Sequence, residues 1–142
     1  MPEENPRKKR IVLDTNVLVS AFGWKGPSHE IFQKAVNGEL ELAISYQQLD
    51  ELKRVLNYPR LKFTEGEKTA FLEIINNIAI LVEIPEKLDV IKDDPEDNKI
   101  LEAAIEGRAC FLISGDQHLL EVKEFRGIKI LKPREFLNIS GQ

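Results

Sequence analysis

Five short, mainly apolar runs, each followed by a stretch compatible with a helix, constrain this chain more than any other feature. Ile11-Val12-Leu13, Leu40 to Ile44, Ile80 to Ile84, Cys110 to Ser114 and Ile128 to Leu131 read as strands. Asn16 to Phe22 suits a helix, and Ser28 is placed to cap a second that Gly38 would stop. Ser45 with Gln48, and Thr64 with Glu67, have the spacing of capping boxes and open helices to Leu56 and Ala79. Another helix ends near Gly107, a short one follows Asp116, and Pro133 suits the first position of the last. Parallel strands need crossover connections, and those put helices on both faces of a sheet. The predicted class is therefore α/β: a three-layer α/β/α sandwich around a central, mainly parallel sheet of about five strands. The expected organisation is a flexible basic segment at 1–9, one domain at 10–138 and a short tail at 139–142.

Composition narrows the function classes. With 142 residues and 42% apolar content, a core can form without disulfides or a structural metal. The only cysteine, Cys110, excludes an intramolecular disulfide and a cysteine-built zinc cluster, and points to a reducing, cytoplasmic setting. Met1 to Arg10 has no apolar stretch of the secretory kind, so secretion is not expected. Phe71 to Ile84 is interrupted by Glu73, Asn76, Asn77 and Glu83, which leaves no run of about 20 apolar residues for a membrane. The net charge of −4 argues against holding nucleic acid by overall charge, although Arg7 to Arg10 is a local basic run and Asp93 to Asp97 an acidic one. No Gly-rich phosphate loop and no Gly-x-Ser-x-Gly elbow is present, which removes nucleoside triphosphatase and serine-hydrolase readings. His29 and His118 lie far from any second histidine and are given no role, and the lone Trp24 fits closing the core better than stacking on a base.

Ligands of open α/β sheets bind beyond the carboxyl ends of the strands, where Asp14 and Asp116 stand. Each also suits a helix cap or turn. Asp97 shares helical spacing with Ile100, Leu101 and Ala104, which puts its carboxylate on the apolar stripe, away from the solvent-facing side expected to carry Glu96, Lys99, Glu102 and Glu106. A metal ion would explain that position, and so would the helix dipole acting on an acid in the first turn. Glu51 borders the apolar face of its helix, where surface charge is the commoner role. Several carboxylates in one cleft repel each other unless a cation holds them, and oxygen ligands alone select hard cations, Mg²⁺ or Mn²⁺. That donor set suits phosphoryl chemistry.

Ile11-Val12-Leu13-Asp14-Thr15-Asn16-Val17-Leu18, Asp94-Pro95-Glu96-Asp97-Asn98 through Ala103-Ala104, and Ser114-Gly115-Asp116 together resemble the PIN-domain family. The resemblance runs from Arg10 to Leu137 and is strongest to the toxin components of prokaryotic toxin–antitoxin systems, including the closing Pro133-Arg134-Glu135-Phe136-Leu137. It implies a metal-dependent ribonuclease in which Asp14, Glu51, Asp97 and Asp116 form an acidic quartet supported by Asn16 and Ser114. Asp14, Asp97 and Asp116 would be the ligands of Mg²⁺ or Mn²⁺, and Asp94 is the alternative to Asp97. RNA as substrate, a small antitoxin and a homodimer are the partners the resemblance implies. A catalytically weak PIN-like module that binds RNA or protein is the rival reading. A receiver or phosphatase domain would want paired acids after an early strand, and Asp14-Thr15-Asn16 lacks the second.

Overall fold

The computed structural model describes residues 8–85 and 95–140, with the backbone alone at 95–97 and 140. The five expected strands form, as β1 (Lys9–Leu13), β2 (Leu40–Ser45), β3 (Ile80–Val82), β4 (Phe111–Ile113) and β6 (Ile128–Leu131). A sixth, the two-residue β5 (Glu124–Phe125), pairs antiparallel with β6. Its turn, Arg126-Gly127, has positive φ at both residues (51° and 82°), which matches the twist of a tight hairpin. An Asn or Asp ahead of the glycine would have signalled that hairpin, and Arg126 hides it. The sheet order is β3-β2-β1-β4-β6-β5, parallel except for the last pair.

Among the described residues seven α-helices cover the sheet: α1 (Thr15–Gly23), α2 (Pro27–Val36), α3 (Tyr46–Leu56), α4 (Glu65–Ile78), α5 (Pro95–Glu106), α6 (Gln117–Val122) and α7 (Pro133–Ser140). The period of two along each strand sorts the core into two halves. Ile11, Leu13, Leu42, Ile44, Phe111 and Ile113 pack with the apolar sides of α1, α2, α3, α4 and α7. Val12, Ala43, Leu112 and Ile130 pack with α5 and α6. Each fully buried Leu or Ile stabilises this arrangement by about 1.5–3 kcal/mol.

Local signals and tertiary packing disagree at a few residues. Thr64 and Glu67 form the expected reciprocal capping box. Ser45 caps α3 by accepting from the Gln48 amide, but the Gln48 side chain turns to the sheet instead of returning to Ser45. Helix α2 starts one residue before the expected cap, with Pro27 in its first turn and Gly26 as N-cap, because a proline needs no intrahelical partner there. Trp24 is 56% exposed, since Phe22, Phe63 and Phe71 already fill the space beneath it and leave only an edge contact with Phe63. Cys110 is exposed just before β4. Glu102, expected to face solvent, is 7% exposed; α5 is enclosed through Ile100, Leu101, Ala103 and Ala104, around most of its girth. Among the described residues no helix is long and apolar enough to cross a membrane.

Where α5 ends against β2, Gly107 has no room for a side chain. A Cβ there would meet the Ala103 carbonyl oxygen at 2.9 Å and the Ala43 Cβ at 3.0 Å. Its own carbonyl accepts from Arg10 Nη1 at 2.8 Å, and the same guanidinium pairs with Glu41 at 3.3 Å. Gly107→Ala is expected to lower stability by about 1–3 kcal/mol. Gly115→Ala, whose Cβ meets nothing within 4 Å, should stay within about 0.5 kcal/mol of wild type. Equilibrium urea unfolding of both variants checks the contrast, and equal losses would refute it.

Candidate active site

The order of the sheet reverses at β1, because β2 lies on one side of it and β4 on the other. A crevice therefore opens where the carboxyl ends of β1 and β4 diverge into their helices. Leu13 is in register with Ile113, and the Asp14 amide donates to the Ile113 carbonyl at 3.0 Å, so Asp14 and Ser114 leave the sheet side by side. The buried Ser114 hydroxyl donates to Asp14 Oδ2 at 2.7 Å and accepts from the Asp116 amide at 2.9 Å. One serine thus joins two acids from the ends of neighbouring strands.

Asp116 takes the cap role that its sequence position offered and keeps one oxygen out of it. Its Oδ1 caps α6, accepting from the amides of His118 at 2.8 Å and Leu119 at 3.3 Å. Its Oδ2 makes no hydrogen bond among the described residues and is available to a ligand.

Helix α3 brings the third acid. Leu49, Leu52 and Leu56 turn into the core, which leaves Glu51 half-buried on the flank. The buried Thr15 hydroxyl donates to Glu51 Oε1, and Gln48 Nε2 donates to the Leu13 carbonyl. These two bonds tie α3 to the chain on either side of Asp14. Thr15 and Gln48 were not singled out from the sequence: Thr15 carried no signal beyond its place after Asp14, and Gln48 read as a capping partner. Asn16 is exposed, and its amide rather than its side chain approaches Asp14. Asp97 lies in the first turn of α5 with its side chain outside the described residues, while Ile100, Leu101 and Ala104 of its stripe are buried. Asp94 also lies outside them.

Burial of Asp14 pushes its carboxyl above the ordinary value of 3.8, and the negative charge of Asp116 adds to the rise. The Ser114 hydroxyl and the amides of Asn16 and Thr15 pull the other way, although neither amide makes a regular capping bond. Among the described residues no three acidic, histidine or cysteine groups converge closely enough to enclose a metal. The donor chemistry nevertheless fits a hard cation. Asp14, Ser114 and Asp116 offer oxygens, two carboxylates repel across one serine, and one oxygen of Asp116 is open.

Residues 10–118 match the family model described as PIN domain. The chain belongs to the PIN-domain family. This PIN domain is similar in fold to PAE2754 from Pyrobaculum aerophilum, with a TM-score of 0.61 and 17% identity over 95% of this chain and 91% of that one. It is also similar to a chain of VapBC2 from Rickettsia felis, whose crystal structure holds a DNA fragment from its promoter. That likeness has a TM-score of 0.55 and 16% identity over 85% of this chain and 96% of that one. Among curated proteins none matches significantly.

The raised Asp14 carboxyl makes a stability prediction for the metal-free PIN domain. The folded state holds this proton to higher pH than the unfolded chain, so the contribution is fully present below the unfolded value. It is lost as pH rises through the folded one. With EDTA, Asp14→Asn should therefore melt above wild type at neutral pH, and the gap should close in acid. Thermal unfolding followed by circular dichroism over that range tests this, and a wild type more stable at neutral pH would contradict it.

Proposed function

We propose that this PIN domain is a metal-dependent ribonuclease that hydrolyses RNA phosphodiester bonds as the toxin of a toxin–antitoxin pair. The observation that carries the reading is the Asp14–Ser114–Asp116 chain at the switch crevice of a PIN-family sheet. Asp14, Asp116 and, from α5, Asp97 would hold Mg²⁺ or Mn²⁺. A cation bound there supplies Lewis acidity toward the phosphate and lowers the pKa of water. Ser114 fixes the Asp14 carboxylate by donating to Oδ2. Glu51, whose carboxylate accepts from the Thr15 hydroxyl, would help position the attacking water, and Asn16 would support the acidic group. Motif resemblance to the toxin branch and likeness of fold to VapBC2 support a small antitoxin as partner, with a homodimer as the working assembly in the cytoplasm.

Cleavage of labelled single-stranded RNA in Mn²⁺, Mg²⁺ or EDTA tests the reading. Wild type should cut in metal and not in EDTA. Asp14→Asn and Asp97→Asn should each lose at least about a hundredfold in rate. Asp116→Asn should lose activity while still capping α6, which circular dichroism would verify. Identical traces from wild type and all three variants under every condition would sink the proposal.

A further inference from the structure

Between α3 and α5, at the carboxyl end of β2, lies a small cavity of about 30 Å³ lined by Ser45, Gln47, Gln48, Glu51, Arg54 and Lys99. Gln48 is 4% exposed and its amide has one sensible orientation, because the Leu13 carbonyl can only accept and so must face Nε2. That leaves Oε1 as a buried acceptor with no hydrogen-bond partner among the described residues. Such an atom is costly unless something donates to it. Gln48 is one of the residues that line this space, which admits a group the size of a water or hydroxyl and excludes a nucleobase. At the rim stand two exposed cationic side chains, Arg54 and Lys99, suited to phosphate.

A hydroxyl donor next to a phosphate describes a ribonucleotide. We propose that this cavity is a ribose subsite that selects RNA over DNA. The 2′-hydroxyl of one nucleotide donates to Gln48 Oε1, and Arg54 and Lys99 take the adjoining phosphate. The inference rests on the nuclease reading for its substrate strand. Its position fits: the same Gln48 holds the carbonyl directly before Asp14, and β2 lies beside β1 at a spacing of about 4.8 Å. A nucleotide seated here neighbours the one at the acidic centre.

The test is binding of a short fluorescent RNA and of a set of copies carrying a single 2′-deoxy nucleotide at each position. Anisotropy is read in EDTA and again with Ca²⁺. For wild type, one position should lose about two- to tenfold in affinity on deoxy substitution while the others stay level. Gln48→Met should erase that penalty. Arg54→Gln, a change at an exposed residue of the rim that leaves Gln48 in place, should weaken every oligonucleotide alike, keep the deoxy penalty and reduce the salt slope by about one. Affinity that is the same for every substituted oligonucleotide, or undetectable for all, overturns the subsite, as does a penalty that survives Gln48→Met. Cleavage in Mn²⁺ separates the two readings. Metal-dependent cutting without a deoxy penalty removes the subsite alone, and a penalty without cutting removes the nuclease while the subsite stands.

Discussion

A carboxylate at the end of a buried strand has lost most of the water that would stabilise its charge, and the arrangement of this molecule around Asp14 answers that loss. Ile11, Val12 and Leu13 are fully enclosed, so the chain reaches Asp14 directly from the core. The Ser114 hydroxyl and two backbone amides return part of the lost solvation, while Asp116 works against it. What is left over is an acidic site whose charge is under-compensated by the protein itself. A fold tuned only for stability would place an asparagine or a leucine there. Excess negative potential at a switch crevice suits the capture of a cation, as membership of the PIN family leads one to expect.

The two faces of the sheet hold that site by different means. On one, five helices contribute large side chains such as Phe32, Phe71 and Phe136, which fix the position of α1 and α3 by bulk. On the other, α5 approaches through Ala103, Ala104 and Gly107, where contact depends on the absence of side chains. The first face tolerates repacking of flexible groups, and the second is set by backbone distances. Helix α5 carries Asp97, so its distance from the sheet bears on the depth at which that residue stands.

Much of this was legible in the chain. The short apolar runs located five strands, and the positions of Asp14 and Asp116 after two of them placed both at the crevice. What escaped reading was tertiary. Arg126 concealed the hairpin that adds β5, since nothing about an arginine announces positive φ. Glu102 was assigned to solvent on helical spacing, which sees one stripe and not how far a helix is enclosed. Trp24 was given to the core on its size, although three phenylalanines had already filled it. Gln48 has local spacing that explains it as a cap, and only the approach of Leu13, 35 positions away, gives its side chain another task.

The lengths of the outermost strands bear on how two such molecules could meet. At one margin β3 offers three residues, and at the other β5 offers two, one of them the exposed Glu124. Among the described residues neither margin presents a ladder long enough to recruit a strand from another chain. A continuous sheet across two copies is therefore disfavoured at these margins, and helix surfaces suit association better, because their side chains can be varied without disturbing the hydrogen bonds that hold the sheet together.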